Sequence, residues 1–189
     1  MGDRSKLKKI LLWLGAVILC LGIVQARSSE AQMGPTPPPL QQLVTSFDIA
    51  EPEATAYAIW NAGQTQRHEV WFRIMGGEAD YEQRLRVYKE QAAPRSPTML
   101  PPAATVVYEM ASNRTTEWVS LGTESAFFTY YFEGDNRLLG TVDWHNAEAV
   151  SVRKSVYNNG DRYEINFEDI DLLDDFDDLR VEVVLVRRQ

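Results

Sequence analysis

Residues 151–169, SVRKSVYNNGDRYEINFED, alternate apolar and polar side chains on both sides of Asn159-Gly160. An Asn-Gly pair between alternating segments indicates a β-hairpin, because a type I′ turn needs a positive φ at both central residues. A two-residue loop at this pair places Val152 opposite Phe167 on the apolar face. Because the turn and the alternation agree, the stretch predicts two antiparallel strands with one face toward a core.

Strand-like segments continue on both sides of this hairpin. Residues 126–132 are apolar or aromatic on both faces, which predicts a strand with both faces buried against other parts of the protein. A turn is expected within 134–136. The last segment, 179–188, alternates at first and then becomes apolar on both faces. Further strands are predicted upstream: a hairpin over 54–75 with its loop at 61–66, and single strands at 104–112 and 116–122.

Residues 78–91, EADYEQRLRVYKEQ, have the clearest helical pattern downstream of residue 42, because Tyr81, Leu85 and Tyr88 recur at i, i+4 and i+7. As a strand, the same stretch would alternate through Leu85 and Val87 instead. A short helix is predicted here, where it could cover one of the strands that is apolar on both faces.

Together these segments predict a mainly β domain over residues 43–189. About seven or eight short strands separated by turn signals are typical of an antiparallel β-sandwich, and a small β-barrel is the alternative. Residues 92–102 contain four prolines and are expected to form a crossover loop within this domain.

The N-terminus has the layout of an export signal. Four basic residues lie within the first nine and precede an uncharged apolar run over 10–24. This order is typical of a signal peptide, with cleavage expected near Ala26 or Ala31. The alternative is a permanent anchor, an N-terminal hydrophobic helix over 10–26, since about 17 apolar residues can span a bilayer. In either case residues from Arg27 onward are expected on the periplasmic or extracellular side.

Residues 27–42, RSSEAQMGPTPPPLQQ, contain four prolines and directly follow residues 1–26. Proline favours an extended conformation. The segment is therefore interpreted as a linker to the β-rich domain, and a proline-rich ligand for another protein is the alternative.

Charge and cysteine content exclude several functions. From Arg27 onward the chain holds 15 Lys and Arg against 26 Asp and Glu, a net charge of −11. Nucleic acid is not an expected partner, because phosphate binding needs a basic face. The single cysteine, Cys20, lies in the apolar run, so the exported part offers no disulfide, thiol nucleophile or thiolate metal site.

Residues 168–178, EDIDLLDDFDD, place seven carboxylates in eleven residues. Calcium takes about six to eight oxygen ligands, which closely spaced carboxylates can supply. The first candidate ligands are Asp169, Asp171, Asp174 and Asp175. The run lacks the alternation and the central glycine of an EF-hand loop, so a solvated acidic connection is preferred and no metal or other cofactor is assigned.

No catalytic motif is evident in the sequence. His68 and His145 are the only histidines, and no serine lies in a nucleophile-elbow motif, so both histidines are expected to be structural or exposed. A glycosidase needs two carboxylates across a cleft. Four acidic residues lie in or beside predicted strands and could form such a pair by chance: Glu69, Glu109, Glu117 and Asp143.

Aromatic residues allow a carbohydrate-binding alternative. A sugar-stacking platform could be built from Trp60, Trp71, Trp118 and Trp144, although tryptophans of a sandwich more often belong to its core. Asn113-Arg114-Thr115 is a glycosylation sequon that has meaning only in a eukaryotic source.

The favoured function is a non-enzymatic exported or membrane-tethered domain that binds or braces a protein partner, for example as an accessory subunit of a membrane complex. It rests on the anchor-like start, the proline-rich segment and the strands that are apolar on both faces, because large apolar patches mark contact sites. The alternative is a secreted sandwich that binds or cleaves carbohydrate, with tryptophans as a platform and acidic residues that hold calcium or transfer protons.

Overall fold

Eleven β-strands and no helix occur in the residues that the computed structural model describes, which are 34–51, 53–61, 66–94, 96–100, 105–124, 127–169 and 176–188. The strands are β1 (Leu43–Glu51), β2 (Ala56–Asn61), β3 (Arg67–Gly76), β4 (Glu82–Glu90), β5 (Thr105–Ala111), β6 (Val119–Glu124), β7 (Phe128–Arg137), β8 (His145–Asn146), β9 (Ala149–Tyr157), β10 (Gly160–Glu168) and β11 (Leu179–Arg188). The prediction of a mainly β domain is confirmed. Within these residues no helix could cross a bilayer, and the predicted N-terminal helix lies outside them.

Two antiparallel sheets contain all of these strands. The first sheet has the order β1-β9-β10-β11-β3-β6, and the second has the order β2-β7-β4-β5 with β8 beside β7. Neither sheet closes on itself, so the small-barrel alternative is wrong. The strands predicted at 104–112 and 116–122 are β5 and β6, whereas β1 has no clear signal in the sequence.

The two sheets share one hydrophobic core. β7 is buried along nearly its whole length, as the pattern of residues 126–132 predicts. Phe72 of β3 packs against Phe132 of β7 with ring centroids 5.8 Å apart. A Cβ added to Gly134 of β7 would lie 2.6 Å from the ring of Phe167 in β10. These contacts place the inner faces of the two sheets against each other in a sandwich-like arrangement.

The hairpin predicted at Asn159-Gly160 exists as β9 and β10, but its register differs by two residues. Val152 pairs with Ile165, and Gly160 is the first residue of β10. A shift of two keeps every side chain on its predicted face, because side chains alternate with a period of two. The turn consists of residues 158–159, neither of which has a positive φ, so the predicted type I′ turn is wrong.

Three other predictions of local structure are wrong. Residues 82–90 form strand β4 rather than a helix, since Leu85 and Val87 are buried on one face between β5 and β7. β7 continues through 134–136, where a turn was expected. The strands predicted to pair within 54–75 are β2 and β3, which lie in different sheets. In each case the pairing depends on residues distant in sequence.

Residues 34–42, named the strap, lie on the domain. Three hydrogen bonds join its last residues to the 158–159 turn: Asn159 Nδ2 to Pro39 O (3.1 Å), Gln41 N to Asn159 Oδ1 (2.7 Å) and Asn158 N to Gln42 O (3.1 Å). At the other end of the strap, a Cβ added to Gly34 would lie 3.6 Å from Glu117 Oε2. The strap therefore runs from the segment that precedes β6 to the β9–β10 turn.

The strand directions define two ends of the domain. Three connecting segments share the end named the cavity end: 77–81, 112–117 and 138–144. Arg180 pairs with Gly76 at this end, whereas Val186 of the same strand pairs with Gly160 beside the 158–159 turn. The 158–159 turn therefore lies at the opposite end, named the turn end, and the strap connects the two.

Candidate functional site

The outer face of the second sheet carries a charge network between β4 and β7. Arg84 pairs in register with Asp135, and Arg86 with Glu133. Arg84 Nε donates to Asp135 Oδ2 over 2.8 Å, and Arg86 Nη2 donates to Asp135 Oδ1 over 2.7 Å. Glu133 Oε2 lies 3.0 Å from Arg86 Nη2 and accepts a 2.7 Å bond from the Tyr88 hydroxyl. Both carboxylates are buried and have fixed donors.

Burial governs the protonation of this network. It raises the pKa of Glu133, although the hydrogen bond from Tyr88 and the charge of Arg86 act in the opposite direction. Burial and the bond to Glu133 also raise the pKa of Tyr88. For Arg86 burial lowers the pKa, but the bond to Asp135 and nearby negative charge outweigh it and the pKa rises. The arrangement holds both carboxylates in ion pairs with arginine.

Trp144 holds the connection between β7 and β8 against the outer face of the second sheet. Its ring lies between two guanidinium groups, with Arg84 Cζ 4.3 Å and Arg137 Cζ 4.4 Å from its centroid. Arg137 also forms an ion pair with Glu82. Cation–π contacts of this kind hold an aromatic ring in place, so Trp144 attaches the β7–β8 connection to β4.

A cavity of 480 Å³ opens beside Arg137 at the cavity end. Its lining mixes polar and apolar groups from three connections and the strand ends beside them, with Tyr81, Glu82, Asn113, Arg114, Arg137 and Leu139 among its residues. The volume suits a small molecule or a side chain of a partner. Its charged groups have both signs, so the lining does not select one ligand charge.

Residues 138–142, LLGTV, form an exposed apolar loop beside this cavity. Leu138, Leu139 and Val142 are 56%, 73% and 82% exposed. The amide and hydroxyl of Thr141 both donate to Leu138 O, over 3.0 and 2.8 Å. The loop is therefore a closed turn that holds apolar side chains outward.

β1 forms an exposed edge of the first sheet. Within the described residues it pairs on one side only, with β9. Its side chains are exposed from Leu43 through Asp48, with Val44 and Phe47 among them, and Ile49 packs against the core. An unpaired edge with apolar side chains is a template for a strand of another chain.

The acidic run is described only at its two ends. Asp171, Asp174 and Asp175 lie outside the described residues. Oxygens of three buried carboxylates lie within 4.8 Å of one another and would be the ones to hold a divalent cation: those of Glu168, Asp169 and Asp178. Because these three are buried, the ends of the run are not the solvated connection that the sequence suggests.

Each of these carboxylates accepts a hydrogen bond, two from within the β10–β11 connection and one from Gln83 of β4. Phe176 N donates to Glu168 Oε2 (3.0 Å), Gln83 Nε2 to Asp169 Oδ2 (2.9 Å) and Asp169 N to Asp178 Oδ2 (2.8 Å). The cluster therefore has a structural role in the geometry of this connection.

The two histidines lie in different sheets. His68 is buried in β3, with Nδ1 3.0 Å from Asn61 Nδ2 and 3.1 Å from Gln66 O. Burial lowers its pKa, and the bond to Gln66 O acts in the opposite direction. His145 is exposed in β8.

The four carboxylates considered for catalysis do not share one face. Glu69 pairs with Arg188, and Glu109 lies 3.6 Å from Arg84 on the other sheet. The remaining two lie at the cavity end: Glu117 beside the strap and Asp143 exposed next to the apolar loop.

The tryptophans are divided between the two sheets. Trp71 donates to Glu69 over 3.4 Å, and Trp118 stacks with Arg73 at 4.5 Å on the first sheet. Trp60 is exposed on β2, and Trp144 is held between two arginines on the second sheet. The four do not form a common platform. Asn113 of the sequon is half-buried in the cavity lining.

The chain matches no protein-family model, no curated protein and no solved structure. Its function must therefore be inferred from these surfaces.

Three features of the site have weak or no signals in the sequence. Arg84 and Arg86 alternate with buried residues, so a strand interpretation of β4 would have placed both on one polar face. Asp135 lies in a segment that the sequence predicts to be a turn. The exposure of the apolar loop has no signal, because its residues resemble those of a buried strand.

Proposed function

We propose that this chain is a non-enzymatic, exported β-sandwich domain that is held at a membrane by its N-terminal apolar segment and binds a protein partner through β1. The exposed edge of β1 is the observation that carries this proposal.

Edge strands of monomeric proteins are usually protected by charged side chains, proline or short length. β1 contains two charged residues, Asp48 and Glu51 near its end, and no lysine or proline. Its first half is protected only by a bulge at Val44. An extended segment of a partner could add to this edge through main-chain hydrogen bonds and cover Val44 and Phe47.

The buried charge network favours a binding role over catalysis. Glu133 and Asp135 are held by Arg84 and Arg86, and general acid–base chemistry needs a group within reach of a substrate proton. The tryptophan positions give the carbohydrate alternative no support.

The membrane tether, which is the N-terminal apolar segment together with the residues that join it to the domain, is inferred from the sequence. The apolar segment over 10–26 is long enough for a short spanning helix, and the chain enters the described domain at Gly34, next to Glu117. A domain held near a membrane meets a membrane-bound partner at high effective concentration, so a modest interface at β1 would suffice.

Site-specific photocrosslinking in cells of the source organism tests the proposal. A photoreactive residue at Phe47 should yield an adduct with one protein partner, whereas the same residue at Val107, on the edge strand β5, should not. Val44→Lys should lower the adduct yield about tenfold, because a lysine on an edge opposes strand addition. Val107→Lys is the matched control, since Val107 is also exposed at a bulge of an edge strand. Equal adducts at both edges, or none, would contradict the proposal.

A further inference from the structure

We infer that the apolar loop, residues 138–142, inserts into the interface of the lipid bilayer that holds the chain. The inference rests on the tether of the proposed function and adds a lipid-binding surface that is separate from β1. It depends on the exposure of the loop, the point where the chain enters the domain and the charge near the loop.

The loop is a closed turn whose exposed side chains are apolar, so they can enter a bilayer. Leu139 and Val142 are its most exposed side chains, and no charged residue lies between Arg137 and Asp143. Burial of such side chains at the boundary between headgroups and acyl chains is favourable in proportion to the apolar area removed from water.

The chain enters the domain at the end that carries this loop. Gly34 lies beside Glu117, and Asn113 of the same connecting segment lines the cavity together with Leu139. The entry point and the apolar loop therefore both belong to the cavity end.

Chain length keeps the entry point close to the bilayer of the proposed tether. Seven residues, 27–33, separate the apolar segment 10–26 from Gly34, and seven extended residues span at most about 25 Å. With this reach, the tether would hold Gly34 within about 25 Å of the membrane surface.

Charge near the loop favours apolar insertion over electrostatic adsorption. The exposed groups of the cavity end include Asp80, Glu117 and Asp143 beside Arg114, which gives no basic surface for anionic headgroups. The lipid that fits is neutral, such as phosphatidylcholine, and the contact should depend little on salt because it is apolar.

Fluorescence quenching in phosphatidylcholine nanodiscs that carry the full chain tests this inference. With Cys20→Ser as background, Leu139→Cys and, as control, Gln91→Cys at the turn end are each labelled with an environment-sensitive fluorophore. Headgroup-level spin-labelled lipid should quench the label at 139 about twofold or more above the label at 91, as expected for interfacial burial. Leu138→Asp with Val142→Asp should abolish the difference, and 0.5 M salt, about a 4 Å Debye length, should not.

The outcomes separate this inference from the proposed function. Equal quenching at 139 and 91 in a chain that co-elutes with the nanodisc overturns the lipid contact and leaves the tether and β1 intact. Failure to co-elute overturns the tether and the lipid contact together. A label at 139 that is shielded only after a partner protein is added identifies the loop as a protein-binding surface and also overturns the inference.

Discussion

Gly160 lies directly against the main chain of Leu185. A Cβ added to Gly160 would lie 2.1 Å from Leu185 O, and the side chain of Leu40 in the strap would lie 3.0 Å from the same position. Gly160 thus lies in close contact with both β11 and the strap. A glycine is needed here for space and not for a positive φ.

Gly160→Ala should destabilise residues 34–189 by about 3 kcal/mol, because backbone must move to admit the methyl group. Gly140→Ala is the control: Gly140 has a φ of 85° and open space around it, so the cost should be about 1 kcal/mol of conformational strain. Urea denaturation measures both. A similar cost for the two variants would show that the contact with Leu185 is unimportant.

Asp135→Ala should lower the free energy of unfolding by about 3 kcal/mol, because it removes the buried carboxylate that the guanidinium groups of Arg84 and Arg86 share. Asp48→Ala is the matched control. Its carboxylate is exposed, 3.8 Å from Arg153, and should contribute about 0.5 kcal/mol or less. Chemical denaturation at constant pH distinguishes the two, and equal small effects would mean that the network does not stabilise the fold.

The pH dependence of stability should contain a contribution from His68. Its pKa is lowered from 6.5 in the folded chain, so below about pH 6.5 the unfolded chain binds the proton more readily and stability falls with falling pH. The loss can reach about 1.4 kcal/mol per pH unit. Unfolding measured between pH 7.5 and 5 should show a shallower decline for His68→Gln than for the unmodified chain. Parallel profiles would contradict this assignment.

Calcium should not stabilise the domain selectively, because Glu168, Asp169 and Asp178 already accept hydrogen bonds from other groups of the domain. Millimolar calcium and magnesium at equal ionic strength should therefore shift the melting temperature alike. A specific site occupied at a hundredfold excess over its Kd would add about 2.7 kcal/mol, or roughly 5–10 °C. A rise of that size with calcium alone, absent in Asp178→Asn, would establish a metal site.

Sequence alone predicts the parts of this fold that depend on neighbours along the chain. The β9–β10 hairpin is local, so its strands and faces follow from alternation even though the turn is displaced. Residues 82–90 satisfy both a helical and a strand period, and pairing with β5 and β7 decides between them. That choice cannot be made from the segment itself.

The candidate surfaces were less predictable still. The network of Arg84, Arg86 and Asp135 joins strands that are about 50 residues apart in sequence, as the separations of 51 and 49 show. Leu139 and Val142 have the composition of core residues, and their exposure follows only from the path of the β7–β8 connection. The edge position of β1 depends on the order of the whole sheet.

The strap determines how the domain responds to force. A pull applied ahead of Gly34 acts along the strap and loads its three hydrogen bonds to the 158–159 turn in shear. From Leu43 onward, β1 runs from the turn end toward the cavity end, opposite to the strap. Once the three bonds break, β1 would therefore separate from β9 one residue pair at a time. Peeling needs far less force than shear. The bonds at the turn therefore set the tension at which the edge strand is lost.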